Sequence, residues 1–355
     1  MARRSKSVTL KEVAAVANVS IGMASRVLGG YGSYSDKTKK AVLRAAKLLN
    51  YRVNGVARSL RLNRTKTIGV MVSEISSYHW TVFVQGVEEK AREAGYNVFI
   101  CNTEDSSNRE KAYLDELLQR GVDGIIVSPL TENFSIFSNV IQAGFPIVLI
   151  NCKINKMNVS SIRSDDKQAA TDAVAYLHSL GHQIIGLIAG SLAIETGQNR
   201  LAGYRAGLAL ARLPFRQDLI AFGNYDKQQA YNATKKLITR KNPPSAIIVC
   251  SEIMIGSALQ CIKENNIKIP SELSLIGFDD PAWASFFQPA ITTLKEQRFL
   301  MGGLASETLI SIIDSQLEGG EPKKEILLKT ELIIRDSCAP PTHNKSNVKI
   351  INTRA

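Results

Sequence analysis

The spacing of apolar residues divides the chain into two regions. Up to about residue 51, apolar positions recur every three or four residues, which is typical of amphipathic helices. From Thr67 onward, short apolar runs such as TIGVMV, GIIVSP and SAIIVCS indicate buried strands, and segments with helical spacing separate them. Alternating strands and helices of this kind predict parallel sheets that are covered by helices on both faces.

The first region predicts three short helices. The segment VTLKEVAAVANVS begins with Thr9 and Glu12 at the spacing of a capping box, and Ser20 and Ser35 can cap the two helices that follow. A tight turn between the first two helices gives a helix-turn-helix. The apolar positions expected to form its small core are Leu10, Val13, Ala14, Ala17, Met23, Val27, Leu28, Val42, Leu43, Ala46 and Leu49.

The positive charge of the chain is concentrated in this same region. Residues 1–66 contain 15 Lys and Arg against Glu12 and Asp36, a net charge of +13, whereas the remaining 289 residues carry 29 basic and 30 acidic side chains. A disordered basic tail would lack the apolar periodicity. A basic, folded block beside a neutral body therefore predicts DNA binding, because Lys and Arg displace the counterions of phosphates.

In a helix-turn-helix, the start of the second helix reaches the base edges in the major groove. We expect Arg26 to donate two hydrogen bonds to a guanine, and a phosphate contact is the alternative. The residues of this domain predicted to contact DNA are Thr9, Ser20, Ile21, Gly22, Met23, Ser25 and Arg26.

The stretches VTLKEVAAVANVSIGMASRVL, SDKTKKAVLRAAKLLNYRVNGVARSLR and TKTIGVMV resemble the LacI/GalR family of bacterial transcription repressors. The resemblance extends to about residue 338. It implies an all-α helix-turn-helix headpiece and an α/β core like that of periplasmic sugar-binding proteins, with two doubly wound parallel-sheet lobes. It also implies double-stranded DNA with a near-palindromic sequence as a partner, and a homodimer to read it.

Within this resemblance, NGVARSLR matches the hinge helix of the family, whose leucine wedges into the minor groove and kinks the duplex. Here that leucine is Leu60, and packing under the first strand is the alternative. Val53 stands where the family usually has proline, and Gly55 costs a helix about 1 kcal/mol, so we expect this segment to fold mainly on DNA. The implied hinge contacts are Asn54, Ala57, Arg58, Leu60 and Arg61.

Polar residues end the predicted strands of the second region, namely Glu74, Asn102, Ser128, Asn151, Ser191, Ser251 and Asp279. Ligands bind beyond the carboxyl ends of such strands, so we expect a cleft between the lobes. The resemblance implies that Arg200 and Asp279 make the main polar effector contacts and that Trp80, Tyr225 and Phe287 supply an apolar wall. A surface ion pair for Arg200 and ordinary core packing for the aromatic residues are the alternatives.

The predicted effector-binding residues are Trp80, Asn102, Asn151, Arg200, Tyr225, Ser251, Asp279 and Phe287. A neutral sugar is the first expectation for the effector and a nucleobase the second, and loss of the effector response is also open. The sequence shows no nucleophile–base pair, P-loop or metal-ligand spacing, so neither an enzyme nor a metal or other cofactor is expected. The five cysteines are expected to be reduced buried thiols, and His79, His178, His182 and His343 to lie at the surface or cap helices.

The predicted domains are a helix-turn-helix over 1–53, a hinge over 54–66, a two-lobed core over 67–340 and a disordered tail over 341–355. The first lobe is expected over about 67–163 and 296–325, and the second over about 164–295 and 326–340. Neither a membrane span nor a signal peptide is indicated, so a cytoplasmic protein without membrane contact is expected. The tail lacks leucine heptads, which favours a dimer. A solute-binding protein is the alternative, but it leaves the basic headpiece unexplained.

Overall fold

A computed structural model describes residues 8–51, 64–130, 133–153, 159–315 and 323–341. The chain forms two compact units. The first comprises residues 1–67 with 121–123, and the second comprises residues 68–120 with 124–355.

The described part of the first unit contains three helices: α1 (Leu10–Val16), α2 (Ile21–Gly29) and α3 (Asp36–Leu48). The capping box is present, since the Thr9 amide donates to Glu12 Oε2 at 2.6 Å and the Glu12 amide donates to Thr9 Oγ1 at 3.4 Å. Ser20 and Ser35 accept hydrogen bonds from the first turns of α2 and α3. The three helix starts predicted from the caps are therefore confirmed.

The core of this unit is small, and two positions differ from the prediction. Its buried residues are Val13, Ala14, Ala24, Val27, Val42, Ala45 and Ala46. Leu43 is 48% exposed, because the neighbouring Val42 takes the inward direction and successive helical residues are about 100° apart. Met23 is partly exposed for the same reason, since Ala24 occupies the inward position.

The second unit contains two six-stranded sheets. In chain order the strands are β1 (Thr67–Val72), β2 (Asn97–Asn102), β3 (Gly124–Val127), β4 (Ile147–Ile150), β5 (Ser160–Ser164), β6 (Ile185–Ala189), β7 (Ile220–Phe222), β8 (Ala246–Val249), β9 (Ser274–Phe278), β10 (Thr292–Lys295), β11 (Glu325–Leu328) and β12 (Glu331–Ile333). The sheet orders are β11-β5-β4-β3-β1-β2 and β12-β10-β9-β8-β6-β7. Most pairings are parallel, as predicted, and β12 runs antiparallel to β10.

Among the described residues, eight helices cover the sheets: α4 (Tyr78–Glu93), α5 (Ser107–Gln119), α6 (Phe134–Gln142), α7 (Asp166–Ser179), α8 (Glu195–Leu210), α9 (Lys227–Ile238), α10 (Glu252–Glu264) and α11 (Arg298–Ser315). Glycine allows two of these helix pairs to pack with their backbones in contact. A Cβ on Gly302 of α11 would lie 2.0 Å from the Phe83 carbonyl oxygen of α4, and one on Gly203 of α8 would lie 2.1 Å from the Lys167 carbonyl oxygen of α7. No described helix is long and apolar enough to cross a membrane.

The chain passes between the two lobes three times. It leaves the first sheet after β5, returns after β10 to form α11 and β11, and crosses again to form β12. The last crossing was predicted near residue 325. It follows Leu328 instead, because Glu325–Leu328 pairs with Ser161–Ser164 in the first sheet.

Candidate functional site

The start of α2 forms an exposed surface in the first unit. Ile21 is 48% exposed, and Gly22 and Arg26 are also exposed. The hydroxyl of Ser20 accepts a hydrogen bond from the Met23 amide at 3.1 Å, so this serine caps the helix. On α3 the exposed basic side chains are Lys37, Lys39, Lys40, Arg44 and Lys47.

The other residues of this unit that are predicted to contact DNA differ in their exposure. Thr9 is exposed, but its hydroxyl is used in the capping box, while Met23 and Ser25 are partly buried. Ser25 Oγ lies 3.1 Å from the Tyr31 hydroxyl. The predicted hinge contacts, Asn54, Ala57, Arg58, Leu60 and Arg61, lie outside the described residues.

In the second unit, a cavity of about 750 Å³ lies between the carboxyl ends of the two sheets. Five of the predicted strand-end residues line it, namely Glu74, Ser128, Asn151, Ser251 and Asp279. Asn102 and Ser191 are not among the lining residues. Asn102 accepts a hydrogen bond from the Ile75 amide at 3.0 Å, and Ser191 accepts one from the Ala193 amide at 3.2 Å.

Arg200 lies in the wall of the cavity with its guanidinium bound by the chain itself. Its Nε donates to Asp166 at 2.7 Å, its Nη2 to Glu296 at 2.8 Å and its Nη1 to the Cys250 carbonyl at 2.6 Å. The side chain is 2% exposed, and its guanidinium lies 4.0 Å from the centre of the Phe278 ring. Arg200 thus forms buried ion pairs, not the surface ion pair considered from sequence.

Arg298 continues this network from the start of α11. Its Nη1 donates to Asn151 Oδ1 at 2.8 Å, and its Nη2 pairs with Glu296, which therefore lies between two arginines. Burial lowers the pKa of Arg298 to about 10, so it stays charged at neutral pH. Burial opposes the charge of Arg200 as well, but Asp166 raises the pKa of Arg200 above its ordinary value.

Asp279 and His79 join the two lobes across one edge of the cavity. His79 Nδ1 lies 2.9 Å from Asp279 Oδ1, and the Glu252 amide donates to Asp279 Oδ2 at 3.1 Å. Burial and, to a lesser extent, the charge of Arg298 lower the pKa of His79 to about 4, so the neutral ring donates from Nδ1. Burial acts to raise the pKa of Asp279, but His79 and Arg200 hold this pKa well below its usual range.

The surface position expected for the histidines is wrong for two of them. The His79 side chain is 14% exposed, and His182 is 1% exposed, with its ring nitrogens 2.8 Å and 3.0 Å from the hydroxyls of Ser245 and Ser274. His178 is partly buried at the end of α7, and His343 lies outside the described residues.

Two of the three predicted aromatic residues line the cavity. Trp80 does so while its Nε1 donates to Ser73 Oγ at 2.9 Å, and Tyr225 does so with a buried hydroxyl that has no hydrogen-bond partner among the described residues. Phe287 is not among the lining residues. It is 38% exposed and packs edge-on against Trp283, which lines the cavity in its place. Trp283 lies four residues earlier, in a 3₁₀ turn that the apolar pattern does not indicate.

His79, Asp279 and Glu296 have the ligand types of a metal site. Among the described residues, one ligand atom each from His79, Asp279 and Glu296 lie within 4.8 Å of one another. Arg200 and Arg298 already supply positive charge to this group. Because both guanidinium groups pair with Glu296, this carboxylate is already bound within the chain and is a poor metal ligand.

The cysteines are unpaired, as predicted. Cys101, Cys152, Cys250 and Cys261 are buried, and Cys338 is partly buried. Burial raises the pKa of Cys101 to about 11 and that of Cys250 to about 12, so both are protonated at neutral pH.

Both units match protein families of known function. The sequence profile of "Bacterial regulatory proteins, lacI family" matches residues 9–54, and that of "Periplasmic binding proteins and sugar binding domain of LacI family" matches residues 65–335. The two lobes and the helix-turn-helix define a DNA-binding transcriptional regulator, not an enzyme. The chain belongs to the LacI family, and its relatives include repressors of that family.

Similar proteins and solved structures support this family assignment. The chain is 35% identical over 329 residues to the probable HTH-type transcriptional regulator EndR of Paenibacillus polymyxa, which covers 92% of this chain and 96% of that protein. The Lac repressor dimer bound to operator and the anti-inducer ONPF has a TM-score of 0.83 and 26% identity, with 94% and 100% coverage. The transcriptional regulator CelR in complex with cellobiose has a TM-score of 0.71 and 26% identity, with 93% and 99% coverage. These matches include the headpiece, which a solute-binding protein would lack.

Proposed function

We propose that the chain binds a near-palindromic operator as a homodimer and that a sugar in the interlobe cavity changes its operator affinity. The observation that carries the proposal is the cavity itself, because its polar walls come from strand ends of both lobes. A ligand that contacts both walls favours one arrangement of the lobes over another. The sugar complex of CelR supports this class of ligand, and a nucleobase is the second candidate.

For operator recognition, we assign the base contacts to the start of α2. Arg26 is exposed in the first two turns of this helix, and a guanidinium can donate two hydrogen bonds to O6 and N7 of guanine. Ile21 is exposed beside it and offers an apolar contact for a thymine methyl group. The lysines of α3 then hold phosphates and fix the orientation of the headpiece.

The hinge supplies the second part of the recognition. The resemblance of NGVARSLR to the family's hinge helix supports Leu60 as the minor-groove wedge, with Arg58 and Arg61 beside it. The segment lies outside the described residues, so this role rests on sequence alone. Replacing Leu60 with alanine is expected to weaken operator binding strongly and to spare binding to unrelated DNA.

The cavity also suggests how a ligand would act on the lobes. The His79–Asp279 hydrogen bond links the first lobe to the second, and Asp279 is a cavity residue. A ligand hydroxyl that binds Asp279 competes with His79 for the same carboxylate. Effector and operator must change each other's affinity by the same factor, whether the effector releases the operator or strengthens its binding.

Selection of an operator from random DNA by the full chain tests the proposal. The selected duplex is then titrated in the presence of sugars and nucleobases, and we expect a palindromic consensus whose affinity changes with one sugar class. Leu60→Ala is compared with wild type on the operator and on random DNA. If Leu60→Ala loses the same affinity for the operator as for random DNA, Leu60 is not a minor-groove wedge. The absence of any salt-dependent DNA binding would refute the whole proposal.

A further inference from the structure

The buried ion network beneath the cavity has more negative than positive groups. Its ionic members are Arg200, Arg298, Asp166, Glu296 and Asp279, whose side chains are at most 6% exposed. Since His79 is neutral, two guanidinium groups face three carboxylates. The formal charge is therefore −1 in a region with little access to water, and an unbalanced buried charge is costly. Asp279 is the carboxylate of this group that lines the cavity.

The cavity wall adds further acidic groups to this excess. Glu74 and Asp105 line it from the first lobe and Glu252 from the second, whereas Lys227 is the one lysine among the described lining residues. Burial raises the pKa of Asp105 and of Glu252, whereas a hydrogen bond from Trp283 and the charge of Lys227 act to lower the pKa of Glu252. The two lobes thus present carboxylates to a common space.

Aromatic side chains from both lobes also line this space. Trp80 and Trp283 line the same cavity, and aromatic faces attract organic cations. Serine hydroxyls complete the wall, among them Ser128 and Ser251, and suit the hydroxyl groups of a carbohydrate.

We propose that the effector is an amino sugar and that Asp279 and Glu252 bind its protonated amino group. The inference rests on the proposed role of the cavity as the effector site. An ammonium group offers three hydrogen-bond donors and one positive charge. It can therefore neutralise the negative charge of the carboxylates, which a neutral hydroxyl group cannot do. The sugar hydroxyls then bind the serine side chains, and the ring lies against the aromatic wall.

Calorimetric titration of the full chain with matched sugars tests the proposal. The probes are glucosamine with glucose and N-acetylglucosamine, galactosamine with galactose, and deacetylated chitobiose with cellobiose. We expect an amine to bind at least about tenfold more tightly than its neutral counterparts, since a hydrogen bond between charged groups is at stake. Its affinity should fall as the pH is raised through the pKa of the sugar amine.

The variant Glu252→Gln tests whether the charge of Glu252 binds the amino group, because glutamine keeps the size of the side chain but is neutral. We expect it to weaken binding of the amine about tenfold and to leave binding of the neutral sugar nearly unchanged. Glu116→Gln is the matched control, since Glu116 is an exposed carboxylate paired with Arg120 on α5. It should bind the amine like the wild type.

Three outcomes would overturn the inference. Neutral sugars could bind as tightly as the amines, or Glu252→Gln could weaken both classes equally. Either result would refute the binding of an ammonium group by Asp279 and Glu252, but not the proposal that the effector is a sugar. If no sugar of either class binds while operator binding persists, the cavity is not a sugar site. Loss of operator binding in the wild-type chain would instead count against the proposed function itself.

Discussion

Arg200→Met should destabilise the two-lobed unit, because it removes the cation that three buried acceptors share. Asp166 and Glu296, which are 3% and 1% exposed, would each lose a hydrogen bond to a guanidinium, and so would the Cys250 carbonyl. Breaking a buried pair by removing one partner costs about 3–5 kcal/mol. For a unit of this size, that loss lowers the melting temperature by on the order of 10 °C.

The two tryptophans of the chain make the measurement specific. Trp80 and Trp283 both lie in the second unit, so their fluorescence during urea unfolding reports on this unit and not on the headpiece. Glu296 keeps its pair with Arg298 in the variant, so the loss of stability should arise mainly from Asp166, which loses its guanidinium partner.

Arg216→Met is the matched control, because Arg216 pairs with Asp218 at the surface. An exposed ion pair contributes little, so this variant should unfold close to wild type. A loss of less than about 1 kcal/mol in Arg200→Met would refute the reasoning. It would mean that the buried carboxylates find other partners.

Three further predictions concern other parts of the chain. Arg26→Ala should cost about 1–3 kcal/mol on the selected operator and relax the preference at one base pair, whereas Lys39→Ala should weaken binding to all DNA evenly, as measured on single-substituted duplexes. The free energy of unfolding of the second unit should fall by on the order of 3 kcal/mol as the pH drops from 6.5 toward 4, because the pKa of His79 is lowered in the folded state and the unfolded chain binds the proton more tightly. In urea titrations, His79→Gln should reduce this dependence on pH. Gly203→Ala should lose about 1–3 kcal/mol in the same assay through overpacking of α7 and α8, while Gly256→Ala, which meets no atom within 4 Å, should not.

Each of these predictions has an outcome that contradicts it. Equal losses on every duplex would make Arg26 a phosphate contact. An acid slope that persists in His79→Gln would belong to other titrating groups. A Gly203→Ala variant as stable as Gly256→Ala would mean that the two helices separate without cost.

Much of the fold could be predicted from the sequence because local signals and burial agree there. The caps at Thr9, Ser20 and Ser35 determine where the headpiece helices begin, and continuous apolar runs mark β1, β3 and β8. The strand Ser160–Ser164 was not predicted, since a buried strand of polar residues has no apolar pattern. The prediction places residues 326–328 in the wrong lobe, because their pairing partner in β5 is far away in sequence.

The site was predicted where its geometry follows from topology. Parallel strands end at a common edge, so Glu74, Asn151 and Asp279 could be placed at one cavity before any contact was known. The ion network could not be predicted in this way. Glu296 and His79 acquire their roles because separate parts of the chain bring them together, and no local spacing records that contact.

The three crossings between the lobes have a consequence for synthesis on the ribosome. Strands β1 to β4 emerge early, but α11, whose Gly302 backbone packs on α4, begins at Arg298, about 200 residues after α4 ends. At bacterial or eukaryotic elongation rates this gap lasts on the order of ten seconds or more. During that time α4 can pack on the strands of its own lobe but lacks α11, while the second lobe already has most of its strands. The lobe that is first in the sequence therefore receives its last strand, β11, only after five of the six strands of the second lobe have been made.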